Sequence, residues 1–234
     1  MGHHLRMKLF RLDQVTLISV TSVDLPATEL AMMISMHDID YSEVKLLTSE
    51  TFVPRNPKIE VVKIPKIDFL GYSRFILNSL HEYVDTEFCL LVQADGFVLN
   101  PNRWQNKFLE YDYIGAPWPN QLNLVGGGND QIIEMPNQVG NGGFSLRSKK
   151  LLLETANINF DKLNFPVKSE DLIICHYLYE ELTKKGINFP PPEFAAAFAI
   201  ESKSASYGQT LQTTFGFHGK DLKDHIFQII LNNQ

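Results

Sequence analysis

The sequence predicts an α/β sandwich built around a mainly parallel sheet. Three observations support this class. Short apolar segments alternate with amphipathic segments through the first half of the chain. The segment 87–93 is almost wholly apolar, which is typical of a strand covered on both faces. The composition of the 234 residues, 44% hydrophobic and 21% charged, is ordinary for a globular protein.

The strands are predicted from short apolar runs that end at turn-forming residues. The first run, QVTLISVTSVD, combines a strand with the turn that follows it. The predicted strands are 14–24 (with its turn), 43–50, 59–64, 87–93, 111–118 and 143–148.

The helices are predicted from apolar periodicity and from capping residues. In 71–84, apolar side chains recur at i, i+3, i+4 and i+7, and Asp24 and Asn100 stand as N-caps of two other helices. The predicted helices are 25–38, 71–84, 100–111, 149–158 and 170–186. Residues 119–138, which are polar and glycine-rich, are predicted to form a mobile loop.

Charge and apolar content exclude several classes of partner. The formal net charge is −6 and no block of Lys and Arg is present, which argues against nucleic acid or an anionic membrane. No apolar stretch approaches the roughly 20 residues of a membrane span, so we expect no integral membrane segment. Cys89 and Cys175 lie in apolar segments, as buried thiols of a cytoplasmic protein would. Residues 1–7 are interpreted as a disordered start or tag remnant, and 8–234 as a single domain.

One carboxylate stands where parallel sheets bind ligands. Asp95 follows the strand 87–93 in the sequence QADG, and ligands bind beyond the carboxyl ends of parallel strands. Hard cations such as Mg²⁺ and Mn²⁺ commonly take one or two carboxylates together with diphosphate oxygens and water. Alternatively, Asp95 bonds local backbone in a turn closed by Gly96, and its position alone favours that alternative.

Two further motifs have both a structural and a chemical interpretation. The three glycines around Asn141 in GNGG (140–143) would let backbone amides approach a ligand, or would form a tight turn before a strand. In SED (169–171), Ser169 is a plausible N-cap followed by two acids, which is ordinary helix chemistry. Paired acids at a helix start can also supply a general base, with one carboxylate orienting its neighbour.

The remaining candidates are a histidine and an aromatic segment. His218, in FGFHG, would bind a divalent metal as a neutral imidazole, although a lone histidine in a turn is more often structural. The segment YDYIGAPWP (111–119) holds Tyr113 and Trp118 and would form either the floor of a sugar site or part of the core.

Five blocks, taken in order, resemble the signature of an uncharacterised family related to glycosyltransferases of the GT-A type. The blocks are LLVQADGFVLNPNRW, YDYIGAPW, VGNGGFSLRS, EDLIICHYL and FGFHG. The similarity runs from about residue 72 to residue 219. The resemblance implies a GT-A-like (Rossmann-like) α/β/α sandwich with a mixed, mainly parallel central sheet. It also implies transfer of a sugar from a nucleotide diphosphate sugar to a hydroxyl of a glycan or other acceptor, in polysaccharide or glycoconjugate synthesis.

The resemblance also assigns residues to roles. Asp95 matches the metal-binding second acid of the Asp-x-Asp motif, Gln93 replaces the first acid, and His218 matches the histidine that completes a Mn²⁺ or Mg²⁺ site. Asp171, with Glu170 beside it, matches the catalytic base. Trp118 and Tyr113 fall on the acceptor side. The implied donor-binding residues are Thr21, Ser22, Val23, Ser73, Arg74, Gln93, Ala94, Asp95, Asn141, Gly142 and Gly143.

An inverting transfer requires a base for the acceptor hydroxyl and positive charge near the departing diphosphate. We expect Asp171 to be the base, and a cation on Asp95 and His218, or Arg74 or Arg147 without a cation, to supply the charge. A non-catalytic nucleotide- or glycan-binding module on the same fold is the alternative, and it stays open because Gln93 stands where the motif has its first acid. A methyltransferase-like α/β enzyme is disfavoured, because such folds place the glycine-rich loop after the first strand.

Overall fold

A six-stranded sheet lies at the centre of the structure, a computed structural model that describes residues 10–119, 121–124, 131–135, 139–201 and 207–232. The strands are β1 (Phe10–Val20), β2 (Ile39–Thr48), β3 (Glu60–Lys63), β4 (Phe88–Leu91), β5 (Gly96–Val98), β6 (Tyr113–Ile114), β7 (Gln121–Leu124), β8 (Gln131–Glu134), β9 (Ser145–Ser148), β10 (Ala199–Ile200) and β11 (Gly216–His218).

Helices connect most of these strands. The α-helices are α1 (Leu25–Ser35), α2 (Phe69–Asn78), α3 (Lys149–Ala156), α4 (Glu170–Leu172), α5 (Tyr179–Lys184), α6 (Pro192–Phe198) and α7 (Lys220–Asn232). Short 3₁₀ turns occupy Leu80–Tyr83, Pro101–Arg103, Asn106–Glu110 and Phe160–Lys162, and a π-helical turn, Ile173–Tyr177, joins α4 to α5.

The central sheet has the order β3-β2-β1-β4-β9-β6. The first four strands run parallel, β9 runs antiparallel to β4, and β6 runs antiparallel to β9. The prediction of an α/β fold with a mixed, mainly parallel sheet is therefore confirmed. The chain order reverses at β1, between β2 and β4, and doubly wound sheets bind ligands at such a switch point.

Two apolar layers cover the two faces of the sheet. Successive side chains of a strand point to opposite faces, so neighbouring residues enter different layers. Leu17 packs in the same core cluster as Met32 of α1, whereas Ile18 packs with Phe75 and Ile76 of α2. Because α1 and α2 cover opposite faces, the molecule has the three layers of an α/β/α sandwich.

The prediction of a helix over 100–111 is wrong. Two 3₁₀ turns replace it, since Trp104 and Phe108 both turn inward and meet the ring of Phe215, at centroid distances of 5.2 and 6.3 Å. The Asn100 side chain does not cap a helix. It donates to the carbonyls of Leu211 and Thr214, both at 2.7 Å, and so fastens this segment to the C-terminal part of the chain.

Two small sheets were not predicted. Within 119–138, β7 and β8 form an antiparallel pair, so the prediction of an unstructured loop is wrong there. Residues 120, 125–130 and 136–138 of that segment, like 1–9, lie outside the described part of the chain. A second sheet, β10-β11-β5, brings the C-terminal strand against the segment that follows β4. None of the helices in the described ranges is long and apolar enough to cross a membrane.

Candidate functional site

A crevice of about 500 Å³ opens at the carboxyl ends of β1 and β4, which is the switch point of the sheet. Residues 19–24, at the end of β1 and in the turn after it, form one wall. The start of α2 forms another wall, and residues 93–95 complete the lining. The structure thus brings together six predicted donor-binding residues, Thr21, Ser22, Val23, Gln93, Ala94 and Asp95. A larger groove, of about 800 Å³, lies near Asp13 and Asp40 and contains none of the predicted site residues.

Asp95 and His218 meet beside this crevice. The antiparallel pairing of β11 with β5 places His218 opposite Gly96, one residue after Asp95. The Nε2 atom of His218 lies 3.6 Å from Oδ1 of Asp95 and 3.3 Å from Oε1 of Gln93. A Cβ atom on Gly96 would lie 2.7 Å from the imidazole, so glycine is needed there for this contact. The residues of the predicted metal pair are therefore neighbours.

The other nitrogen of His218 faces Glu201, which was not among the predicted site residues. Nδ1 lies 3.6 Å from Oε1 of Glu201, and the opposite oxygen of Glu201 accepts a hydrogen bond of 3.1 Å from Nε1 of Trp118. Burial alone would lower the pKa of His218, but the carboxylates of Glu201, Asp95 and Asp171 together raise it. Trp118 is only 4% exposed, so it anchors Glu201 and does not offer a ring face to a sugar.

Gln93 links the histidine to α2. Its Nε2 donates a 2.9 Å hydrogen bond to the hydroxyl of Tyr72, while its Oε1 faces His218. In the sequence, Tyr72 is part of the apolar pattern that predicts the helix over 71–84. The amide thus replaces the first acid of the motif with a neutral group that has fixed partners on both sides.

Asp95, Gln93 and His218 carry donor atoms that could contribute to a hard-cation site, with further oxygens supplied by a ligand. Asp95, Gln93 and His218 present a carboxylate oxygen, an amide oxygen and an imidazole nitrogen at one place. Mg²⁺ and Mn²⁺ accept such donors together with diphosphate oxygens and water. Across the described ranges, no three His, Cys, Asp or Glu side chains form a metal-binding group. A cation here would consequently depend on the diphosphate for part of its coordination.

Asp171 belongs to a closed ring of contacts. The Nη2 atom of Arg147 donates to Oε1 of Glu170 at 2.7 Å and to the carbonyl of Gly142 at 3.4 Å. The amide of Gly142 donates to Oδ2 of Asp171 at 3.1 Å, and the amide of Leu172 donates to Oδ1 at 2.8 Å. This acid ring (Arg147, Gly142, Glu170 and Asp171) ties the glycine turn to the first residues of α4.

Within the acid ring, Glu170 and Arg147 are structural. Glu170 is 5% exposed; burial and the nearby charge of Asp171 raise its pKa, and Arg147 opposes that shift. Arg147 is fully buried, and its guanidinium lies 5.2 Å over the ring of Tyr113. The prediction that Arg147 could meet a phosphate is wrong, because no ligand reaches a fully buried side chain. Glu170 is likewise placed to orient its neighbour and not to touch a substrate.

Three other predicted site residues lie elsewhere. Arg74 forms an ion pair with Asp161 and its guanidinium lies 5.2 Å over the ring of Phe160, outside the crevice. Ser73 is buried against the protein interior. Tyr113 is fully buried in the core, where it cannot contact an acceptor. These three residues occupy positions that the family resemblance assigns to the site, but helix α2 and strand β6 direct their side chains away from the crevice.

The glycine turn serves the site through packing. Asn141 is buried with φ 62°, and its Oδ1 accepts from the amide of Gly143 at 3.1 Å. A Cβ atom would lie 1.9 Å from Oε1 of Glu170 if placed on Gly142, and 2.0 Å from Nε2 of His218 if placed on Gly143. The two amides are engaged within the protein. The glycines therefore make room for site side chains. Of the two alternatives that the sequence left open, this arrangement matches the tight turn and not backbone amides that approach a ligand.

Comparison with known proteins places the chain in a family. No curated protein matches the sequence. A crystal structure of a glycosyltransferase involved in the glycosylation of the major capsid of PBCV-1 is similar at 13% identity and a TM-score of 0.48, over 92% of this chain and 98% of that chain. A likeness of this degree carries no argument about activity. The profile of the family described as "Protein of unknown function (DUF5672)" matches residues 58–218, more than half of the chain. The chain therefore belongs to this family.

Proposed function

We propose that this protein is a glycosyltransferase that moves a sugar from a nucleotide diphosphate sugar to an acceptor hydroxyl, with inversion. One observation carries the proposal. Motifs that lie more than 100 residues apart, QAD at the end of β4 and His218 in β11, meet at the ligand edge of the sheet, and the glycine turn joins them to Asp171. A Cβ atom on Gly143 would clash with His218, and the amide of Gly142 donates to Asp171. The carboxylate of Asp95, the imidazole of His218 and the carboxylate of Asp171 therefore lie in the same part of the molecule.

Asp171 is the proposed general base. Each of its oxygens accepts one backbone hydrogen bond, which fixes the carboxylate and leaves further lone pairs for a hydroxyl. In the transfer, the acceptor oxygen forms a bond to the anomeric carbon while the bond from that carbon to the diphosphate oxygen breaks. The hydroxyl proton passes to Asp171, and the diphosphate leaves with the electron pair.

Asp95 and His218 are the proposed site for the diphosphate. Neither Arg74 nor Arg147 reaches the crevice, and no Lys or Arg lines it among the described residues. A Mn²⁺ or Mg²⁺ ion held by Asp95 and His218 would offset the charge of the leaving diphosphate. Glu201 faces Nδ1 of the imidazole, so it orients the ring whose other nitrogen, Nε2, faces Asp95.

Release of nucleotide diphosphate tests this proposal. Wild-type protein would be incubated with UDP-, GDP- and dTDP-sugars, with and without Mn²⁺, and the released diphosphate measured. We expect turnover with at least one donor, greater with Mn²⁺ than after chelation. Failure of every donor to bind or react would contradict the proposal.

A non-catalytic nucleotide- or glycan-binding module is the second candidate. It is favoured by Gln93, whose amide is neutral and already engaged by Tyr72 and His218. Under this alternative, a nucleotide diphosphate would raise the melting temperature, but no donor would be consumed. Thermal unfolding and product release, measured on the same sample, separate the two candidates.

A further inference from the structure

We propose that the crevice holds a guanine base, stacked on Phe69 and bonded at its edge by Asp24, so that the donor is a GDP-sugar. This inference rests on the proposed function, which needs a nucleotide diphosphate but does not fix its base. The resemblance to GT-A enzymes already implies that the base and ribose lie near residues 20–24. The contacts of the base with Phe69 and Asp24, and the identity of the base, go beyond that expectation.

Phe69 supplies an exposed ring at the crevice. It is the first residue of α2, lines the crevice, and is 77% exposed. Val23 lines the same crevice from the turn after β1 and is 76% exposed. Two large apolar side chains that remain open to water on the two walls of one crevice offer faces to a planar, apolar group. A nucleobase has such a face, and every base stacks well on an aromatic ring.

Asp24 supplies a carboxylate that nothing in the described chain uses. It stands at the N-cap position of α1, yet its side chain makes no capping bond, and its backbone is left-handed with φ 47°. No hydrogen bond or ion pair to another described residue engages this exposed carboxylate, which belongs to the lining of the crevice. Asp68, at the same position of α2, differs because its oxygen accepts from the amide of Gly71 at 2.6 Å.

Two hydroxyl side chains beside Asp24 are engaged within the protein. The hydroxyl of Thr21 donates to the carbonyl of Val23 at 2.8 Å, and the hydroxyl of Ser22 lies 2.6 Å from that of Ser49.

Three carboxylates line the crevice, those of Asp24, Asp68 and Asp95. One oxygen of Asp68 accepts from Gly71 and one oxygen of Asp95 faces His218, whereas both oxygens of Asp24 are free of the other described residues. An ionised carboxylate can only accept hydrogen bonds, so Asp24 presents two adjacent acceptors.

Guanine is the base whose edge matches a carboxylate. Its N1–H and N2–H₂ groups are adjacent donors, so both carboxylate oxygens find a partner. Uracil offers one N–H between two carbonyl oxygens, which would repel the carboxylate, and adenine and cytosine each offer one amino group beside a ring nitrogen that accepts. A well-formed bidentate contact discriminates between bases by roughly ten-fold or more.

Calorimetric titration with GDP, UDP, ADP, CDP and inorganic diphosphate, each with Mn²⁺, tests the inference. For the wild type we expect GDP to bind about ten-fold more tightly than the other nucleotides. Phe69→Ala should weaken all four nucleotides by about ten-fold, because the base loses its stacking partner, and leave inorganic diphosphate unchanged. Phe69→Trp should retain binding. Asp24→Asn should weaken the binding of GDP to the level of the other nucleotides and leave the affinities for UDP, ADP and CDP unchanged.

Leu70→Ala is the matched control, since Leu70 follows Phe69, is 52% exposed, and lies outside the crevice. Equal effects of Phe69→Ala and Leu70→Ala, or equal wild-type affinities for the four nucleotides, would overturn the inference. An unchanged GDP preference in Asp24→Asn would overturn the role of Asp24. Equal binding of all four nucleotides would contradict the guanine inference alone. Absence of binding by every nucleotide would contradict the proposed transferase function as well, so the two failures are distinguishable. Thermal unfolding of each variant establishes that it is folded.

Discussion

Asp171 is the residue on which the proposed chemistry depends most. Its two oxygens are held by the amides of Gly142 and Leu172, so its orientation is set by the backbone. Asp171→Asn should lower the rate of transfer by about 10²–10⁴-fold, since an amide cannot take the acceptor proton. Donor affinity, measured by titration, should change little. Unchanged transfer by the variant would remove Asp171 from the mechanism.

A substitution at Gly143 tests whether the position of the His218 imidazole matters for metal-dependent nucleotide binding. A Cβ atom at this position would lie 2.0 Å from Nε2 of the imidazole, so Gly143→Ala should displace that ring. We expect the Mn²⁺-dependent part of nucleotide affinity to fall by about ten-fold or more, on the scale of an outer-shell substitution at a metal ligand. Gly208→Ala is the control, because a Cβ atom there meets nothing within 4 Å, although φ 70° makes alanine cost about 1 kcal/mol. Identical titrations for the two variants would argue against the metal role.

At the residue scale, the sequence identified the chemical groups but not their partners. Asp95 and His218 were predicted from motif positions, and the structure brings them within 3.6 Å of each other. Glu201 was not found, because nothing in the local sequence marks an acid whose contact is made by tertiary packing. Arg147 was misjudged for the same reason, since an arginine in a strand gives no local sign that it is fully buried.

The starts of α1 and α2 form a natural comparison at the element scale. Asp68 caps α2 through the amide of Gly71, whereas Asp24 makes no capping bond. Asp68→Ala should therefore reduce the free energy of unfolding by about 1 kcal/mol. Asp24→Gly should raise it by up to about 1 kcal/mol, because glycine adopts φ 47° without strain. Urea unfolding measures both changes, and a larger loss for Asp24→Gly than for Asp68→Ala would contradict this account of the two caps.

The ion pair between β9 and α4 is the second prediction at this scale. Arg147 and Glu170 are both buried, so removing one partner leaves an uncompensated charge. Arg147→Met should lower the free energy of unfolding by about 3–5 kcal/mol. The double variant Arg147→Met/Glu170→Met should recover much of this loss, because an apolar pair replaces the ion pair. Additive losses in a urea double-mutant cycle would show that the two side chains are not coupled.

Elements were predicted best where periodicity is local. Helix α2 and strand β4 were found from apolar patterns, because their side chains contact the sheet at regular intervals. The helix over 100–111 failed because Trp104 and Phe108 are drawn into contacts with Phe215, which no local pattern reveals. Strand β5, which follows QAD, was taken for a turn, since its pairing partner β11 lies about 120 residues away.

For the whole molecule, alternation of strands and helices was enough to predict the class of fold. It did not give strand direction, so β9, which runs antiparallel to β4, was only covered by the expectation of a mixed sheet. The order in which β2, β1 and β4 lie in the sheet places the ends of β1 and β4 side by side, and this juxtaposition creates the crevice. The location of the site therefore follows from topology, while its chemistry follows from residues that topology brings together.

The most direct test of the proposed sugar-transfer site is a crystal structure of the protein with GDP and Mn²⁺, in which anomalous scattering locates the metal. We predict a metal peak between Asp95 and His218, with the diphosphate bound to it and the base against Phe69. Nucleotide in the groove near Asp13 and Asp40, or a diphosphate that contacts neither Asp95 nor His218, would contradict the claim that these residues form the sugar-transfer site.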